Sequence, residues 1–182
     1  MGLTRIERAE FETPWGGGWV WVCDSHPVAI YLPHSEHEDS VSVSEQIASD
    51  LEISCGAKGV PVGECAEQWA SRLGTFLLTG VPQWDRGDVN LAAIDADGFR
   101  GRVYERLMEV PAGETVGYGE LAARAGSPRA ARAAGTAVAE NPLSLVIPCH
   151  RVVRADGSIG KFGSGTPWKK FLLHLERGAK RY

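Results

Sequence analysis

One stretch in the second half of the chain constrains the fold more than any other. Residues 118–125 have the pattern of a short helix, which Gly126 stops. Ser127 and Pro128 then predict the start of a second, alanine-rich helix, with Ser127 as its N-cap and Pro128 in its first position. That helix must end before Pro142. The two helices and their tight turn predict either a DNA-binding helix-turn-helix or an ordinary packed helix pair.

Further helices are predicted on both sides of this pair. Upstream, Val103, Leu107 and Val110 share one helix face, and the helix closes at 111–113. A final helix begins at Thr166, and its inward face is predicted to hold Trp168, Phe171, Leu172 and Leu175. Glu176 falls at the edge of that face, about 40° beyond Leu172, so we expect it to be partly buried with a partner. The links between the helices are predicted to be a buried strand or extended segment at 145–148, a turn at 155–157 and a mobile glycine loop at 160–165.

The first half of the chain has a mixed pattern. Residues 17–23 and 27–32 predict a β-hairpin, 34–50 a polar loop, 66–77 a helix ended by Gly80, and 88–94 a further strand. The turn-rich residues 95–98 form the best domain boundary. The chain is therefore predicted to be α+β. A small N-terminal α/β domain (1–95) with a β-hairpin or sheet precedes a mainly helical C-terminal domain (96–182) that contains the helix-turn-helix.

Charge is distributed unevenly between the two halves. Of the 182 residues, 43% are hydrophobic, which suffices for a packed core, and the net charge is −4. Residues 1–100 carry six basic and sixteen acidic side chains, whereas 101–182 carry thirteen and seven. A basic second half predicts contact with a polyanion, although an ordinary solvated surface gives the same asymmetry. No apolar stretch approaches ~20 residues and no signal core is visible, so we expect a cytoplasmic protein without membrane association.

The four cysteines show no paired spacing, which favours reduced thiols, and Cys149 stands directly before His150. On a strand these neighbours would point to opposite faces, but in a turn a water could bridge them. The histidine could then accept the thiol proton while Glu176 fixes its tautomer. A cationic imidazole would lower the thiol pKa from ~8.5 to roughly 3.5–7.5. A Cys-His dipeptide alone is weak support for catalysis.

A metal site is a poorer interpretation of the same residue types. Cys23, His26, His34 and Cys55 could supply ligands, but their spacings fit no tetrahedral pattern well. We therefore predict neither a metal nor a cofactor.

Several motifs together resemble one family. They are Gly-Glu-Thr-Val-x-Tyr-Gly-Glu-Leu-Ala at 113–122, Arg-Ala-x-Gly at 132–135, Asn-Pro at 141–142, Ile-Pro-Cys-His-Arg-Val at 147–152, and Lys169 before Leu-Leu-x-x-Glu at 172–176. In this order they are similar to the C-terminal domain of the O6-alkylguanine-DNA alkyltransferases, the methylated-DNA–protein-cysteine methyltransferases, and cover about a third of the chain. The first half resembles the family only in outline, through Thr-Pro-x-Gly at 13–16.

The resemblance implies a DNA repair enzyme that acts once. It would flip O6-alkylguanine, or O4-alkylthymine, out of double-stranded DNA and transfer the alkyl group irreversibly to Cys149. His150 would be the base through a water, Glu176 the orienting acid, and Asn141 the brace of the turn that carries the cysteine. The protein would need no cofactor and act as a monomer.

The resemblance also implies a set of residues that bind DNA and substrate. Arg132 would enter the duplex from the second helix of the pair, which also carries Arg129. Tyr118 would press on the target phosphate and donate a hydrogen bond to the flipped guanine, and Lys169 would neutralise charge near the leaving group. Phe162 and Ser164 lie in the predicted active-site loop, where the family usually has an aromatic, often Tyr, followed by a small or polar residue.

Three other functions compete with repair. The alkyltransferase-like proteins resemble the same domain and bind alkylated DNA without repairing it, but they lack the cysteine that this chain has. A helix-turn-helix transcription factor would need no nucleophile, and a cysteine hydrolase would need an oxyanion site, for which the sequence shows no signature.

Overall fold

The computed structural model describes residues 6–34, 40–55, 60–94 and 96–179, and the predicted α+β class is confirmed. The strands are β1 (Ile6–Thr13), β2 (Gly16–Cys23), β3 (His26–Tyr31), β4 (Val116–Gly117) and β5 (Val152–Val153). The helices are α1 (Ser40–Cys55), α2 (Glu64–Thr79), α3 (Gly98–Met108), α4 (Tyr118–Arg124), α5 (Ala131–Ala139) and α6 (Thr166–Ala179).

The N-terminal sheet is antiparallel in the order β1-β2-β3, and its β2–β3 hairpin confirms the predicted one. β1 was not predicted, although its residues 9–12 alternate between buried and exposed, as expected for a strand with one face on the core. α2 packs on this sheet. It ends at Gly80 as predicted, because Gly80 takes the left-handed conformation (φ 71°) and its N–H donates to Phe76.

Two predictions for the first half are wrong. From Ser40 onward the predicted loop 34–50 is helix α1, and Val43, Ile47 and Ala48 pack against the sheet at helical spacing despite the polar residues between them. The predicted strand 88–94 is replaced by two 3₁₀ turns, Arg86–Asp88 and Leu91–Ile94. Side chains of Asp85, Asp88 and Asn90 bond to nearby backbone N–H groups there, which competes with strand pairing.

The helical half follows the prediction with shifted boundaries. α4 and α5 pack against each other, but α5 begins at Ala131 instead of Pro128. The N–H of Ala130 donates to Ser127 O, so residues 127–130 form a turn, and the expected Ser127 cap is wrong. Residues 145–148 are also not extended. Leu145 has a positive φ of 77°, and Ile147 N–H donates to Leu143 O, so this buried segment turns sharply before Cys149.

α6 is rotated relative to the prediction. Trp168 and Leu172 are buried as expected, whereas Phe171 and Leu175 are only half-buried and Lys169 and Leu173 lie inside. Glu176, expected at the edge, is completely buried. The rotation brings two charged side chains into the protein interior beside Cys149 and its neighbours.

Both halves of the chain contribute to one hydrophobic core. Two hydrogen bonds tie them directly: Ile30 N–H donates to Pro142 O (2.8 Å), and Trp168 Nε1 donates to Pro33 O (2.6 Å). The domain boundary at 95/96 stays a prediction. Across the described ranges, every helix is too short or too polar to cross a membrane.

Candidate active site

Cys149 begins a 3₁₀ turn, Cys149–Arg151, that enters β5. β5 pairs in parallel with β4, which directly precedes α4, so the turn lies next to the helix pair. Cys149, His150 and Arg151 are all buried. Of the two conformations considered for Cys149 and His150, the structure has the turn, which removes the alternation of a strand that would send adjacent side chains to opposite faces.

His150 is held by the carboxylate of Glu176. The distance from His150 Nε2 to Glu176 Oε1 is 2.8 Å, and since an ionised carboxylate only accepts, Nε2 donates. In the neutral ring the proton is therefore on Nε2, and Nδ1 carries a lone pair. Nδ1 is buried without a hydrogen-bond partner among the described residues. The ring thus offers one proton-accepting nitrogen next to the residue that carries the thiol.

Glu176 is surrounded by further donors. Arg151 donates from Nη2 to Oε1 (2.7 Å) and from Nε to Oε2 (3.0 Å), and the N–H of Gly113 donates to Oε2 (2.9 Å). Burial alone would raise the pKa of Glu176, but the hydrogen bonds from His150 and Arg151 outweigh it and lower the pKa to about 2. The carboxylate is consequently ionised at neutral pH, and Arg151, which we did not predict as a site residue, balances its charge.

The thiol and the imidazole are both neutral at rest. Burial raises the pKa of Cys149, against hydrogen bonds from Asn141 and Ser144 and the nearby charge of Lys169. Burial also lowers the pKa of His150, and the hydrogen bond to Glu176 opposes it only in part. The expected lowering of the thiol pKa by a cationic imidazole is therefore wrong for the resting site, because desolvation disfavours both charges.

Asn141 lies where the sequence predicted a brace. Its side-chain N–H donates to Ile147 O (2.8 Å), and its side-chain oxygen accepts from Leu143 N–H (3.0 Å). The bond to Ile147 spans the sharp segment before Cys149, whereas the bond from Leu143 lies at the start of that segment. Asn141 thereby links the end of α5 to the turn that carries the thiol.

Lys169 is fully buried next to β5, the strand that follows the turn. Its Nζ donates to Val152 O (2.6 Å) and to Lys161 O (3.4 Å), and burial lowers its pKa. Gly160 lies close by: a Cβ atom there would be 3.3 Å from Tyr118 Oη and 3.8 Å from Lys169 Nζ. The phenol and the ammonium thus face the same stretch of the 160–165 loop.

A cavity of about 200 Å³ lies beside this loop. It is lined by Tyr118, Val138, Ala139, Lys161, Phe162 and Gly163. Ser164 is half-buried in the same loop. Tyr118 and Phe162, the aromatic residues predicted at the site, therefore line the same cavity. The cavity volume is below the roughly 300–1,000 Å³ of pockets for drug-sized ligands.

The basic residues of the helix pair are exposed. Arg132 lies on α5, as predicted. Arg129 lies in the turn before α5, so its predicted place on the helix is wrong. A second cleft, of about 640 Å³, runs from Tyr118 past Ala131 to Arg154. Arg154 is exposed. We did not predict it as a site residue, because a single basic residue in the sequence indicates no particular function.

The described residues hold no group of three or more His, Cys, Asp or Glu side chains that could bind a metal ion. Cys23, Cys65 and Cys149 form no disulfide among the described residues. The side chain of Cys55, one of the four ligands weighed above, lies outside the described residues.

Fold and site together define an α+β protein whose helical half carries a buried cysteine beside an acid-held histidine. The family model for the 6-O-methylguanine DNA methyltransferase DNA-binding domain matches residues 98–178. A methylated-DNA–protein-cysteine methyltransferase of Mycobacterium leprae is 40% identical over 116 residues, which cover 60% of this chain and 70% of that protein. The one of Methanosarcina acetivorans is 45% identical over 89 residues, 49% of this chain and 56% of its own length. The chain thus matches only about half of that second relative.

Solved structures extend the likeness to the first half of the chain. The Mycobacterium tuberculosis OGT in complex with DNA has a TM-score of 0.74 and 25% identity, covering 95% of this chain and 94% of that one. An O6-methylguanine-DNA methyltransferase from Pyrococcus kodakaraensis shares the fold, with a TM-score of 0.66 over 94% of this chain. The chain belongs to the methylated-DNA–protein-cysteine methyltransferase family of DNA repair enzymes. The predicted family and enzyme class are confirmed.

Proposed function

We propose that this protein removes the alkyl group from O6-alkylguanine in duplex DNA by transferring it to Cys149. The buried set of Cys149, His150 and Glu176 carries this proposal, because it provides a thiol, a free Nδ1 lone pair and a fixed negative charge. The alternative of a non-catalytic alkylated-DNA binder would leave this set without a use.

The proton moves first. Nδ1 of His150 takes the thiol proton through a bridging water, and Glu176 stabilises the imidazolium that forms. Because the resting thiol is neutral, the thiolate exists only when this transfer occurs, which keeps the buried nucleophile protonated until a substrate is present.

The alkyl group then moves by in-line displacement. A bond forms between Cys149 Sγ and the alkyl carbon while the bond from that carbon to O6 breaks, and the electron pair stays on the guanine. Donors close to the cavity stabilise the departing anion: the Tyr118 hydroxyl and the Lys169 ammonium both approach Gly160. The proton held by His150 finally neutralises the guanine, so atoms and charges balance. The thioether has no easy leaving group, and the protein therefore acts once.

The base must leave the helix to reach a buried thiol. Unstacking requires a few kcal/mol, which contacts elsewhere must supply. α5 consists mainly of alanine and other small residues and can lie close to a groove, with exposed Arg132 inserted into the space that the base leaves. The basic residues of the second half then contact phosphates without reading sequence.

Mass measurement tests the proposed function directly. After incubation with excess O6-methylguanine DNA, and without any added methyl donor or metal, we expect one added methyl per chain, located on Cys149, and no further turnover. Cys23 and Cys65 are thiols outside any disulfide among the described residues, and they are the internal controls. A methyl on either of them in place of Cys149, continued turnover, or no methyl at all would contradict the proposal.

Arg132→Ala is expected to slow repair of duplex DNA by about a hundredfold while reaction with the free base O6-benzylguanine stays near wild type, because only the duplex must be opened. Single-turnover rates on the two substrates measure the difference. Arg129→Ala removes the same charge from the neighbouring turn, so it should reduce the duplex rate only a few-fold through lost phosphate contact. Equal losses on both substrates would remove Arg132 from base flipping.

A further inference from the structure

The N-terminal half of the chain reaches the active-site loop through His34. His34 Nε2 lies 3.1 Å from the carbonyl oxygen of Gly163, and since a carbonyl only accepts, the ring nitrogen donates. Gly163 is part of the cavity wall with Lys161 and Phe162. A residue that lies far from the cavity in sequence therefore contacts its wall directly.

The backbone before His34 is firmly held. Pro33 is buried and accepts a hydrogen bond from the buried Trp168 of α6. Three residues earlier, Ile30 donates to Pro142 in the segment braced by Asn141. The imidazole therefore extends towards the loop from a point that is fixed to both α6 and the turn before Cys149.

The loop itself has few restraints on its backbone. Residues 160–165 include three glycines, and two of them, Gly160 and Gly165, have positive φ angles. Its first half is tied to Lys169 through Lys161 O (3.4 Å). Its end is held at Gly165, whose N–H donates to Phe162 O (3.0 Å) and whose O accepts from Lys169 N–H (3.4 Å). The bond from His34 thus restrains Gly163, which lies between the anchored residues Lys161 and Gly165 and whose glycine backbone resists movement little by itself.

We propose that His34 is a positioning residue that restricts the size of the alkyl group accepted, an inference that rests on the proposed function. With the loop in place the cavity has a volume of about 200 Å³, so we expect it to accept a base that carries only a methyl group. A bulky group requires Gly163 to move outward, which breaks the hydrogen bond to His34 before the substrate can bind. The bond consequently opposes large adducts and leaves methyl transfer unaffected.

The test compares His34→Ala, His34→Gln and His26→Ala. Single-turnover rates are measured on duplexes that carry either O6-methylguanine or O6-benzylguanine. In His34→Ala the benzyl-to-methyl rate ratio should rise about fivefold, the equilibrium change that corresponds to one ordinary hydrogen bond. Glutamine keeps a side-chain N–H donor and should retain most of the wild-type ratio. His26 bonds to Asp24 O in the hairpin turn, so its loss should leave the ratio unchanged.

Hydrogen exchange of the peptide that spans 160–168 gives a second readout without DNA. Exchange should be faster in His34→Ala than in the wild type, and close to wild type in His34→Gln. An unchanged rate ratio in an active His34→Ala protein, or equal losses on both substrates, overturns the inference about His34. The proposed function is not affected by either result. Absence of any methyl transfer by the wild type overturns the proposed function as well, so the two failures are distinguishable.

Discussion

Cys149→Ser is expected to abolish methyl transfer while binding to O6-methylguanine DNA stays near wild type. An alcohol with a pKa far above neutral supplies almost no anion, and the neutral His150 is too weak a base to generate one. The hydroxyl is also slightly smaller than the thiol, so the buried turn can accommodate it. Transfer is measured as methyl incorporation under single-turnover conditions, and binding as the Kd for the lesion duplex.

Cys65→Ser is the matched control for this experiment. Cys65 is a free, half-buried thiol on α2, outside the site, so its replacement should leave both transfer and binding unchanged. Residual methyl incorporation by Cys149→Ser above the background of an unreactive protein would mean that another side chain accepts the alkyl group.

Glu176→Gln is expected to lower both stability and transfer. The change leaves the Arg151 guanidinium buried without its counter-charge, and breaking a buried ion pair in this way typically destabilises a protein by about 3–5 kcal/mol. Transfer should slow by about a hundredfold or more, because glutamine cannot stabilise the imidazolium. Chemical denaturation measures the free energy of unfolding, and single-turnover rates are taken under conditions where the variant is folded.

Glu105→Gln removes one partner of the exposed Arg86–Glu105 ion pair and should change stability by at most about 1 kcal/mol. A Glu176→Gln protein with the same small loss would show that the buried pair contributes little. DNA affinity should stay near wild type in both variants, since Glu105 pairs with Arg86 and the buried Glu176 bonds to His150 and Arg151.

The pH dependence of the Glu176→Gln effect has a definite sign. The pKa of Glu176 falls from 4.5 to about 2 on folding, so its contribution is fully present above pH 4.5 and is lost as the pH falls through about 2. The stability difference between wild type and Glu176→Gln should therefore narrow between pH 5 and pH 3. A difference that stays constant over this range would assign the loss to packing.

Much of the helical half could be predicted because its signals are local. Gly126 and Pro142 limit the helix pair, and Gly80 ends α2, each through backbone geometry that needs no distant partner. Boundaries were less accurate where local rules compete: Ser127 and Pro128 match a helix start, yet the chain uses them in a turn. The polar composition before Asp50 likewise hid the helical spacing of α1.

The sequence by itself predicted the chemistry that we propose for this protein, from the Cys149–His150 pair, the family motifs around it and the position of Glu176. Only the tertiary structure decided the protonation states of these side chains. Complete burial makes desolvation the dominant influence, so the thiol and imidazole are neutral and the carboxylate needs Arg151. It also brought His34 to Gly163, across 129 positions of sequence, because a contact at that separation depends on how α6 and β3 pack and on no local pattern.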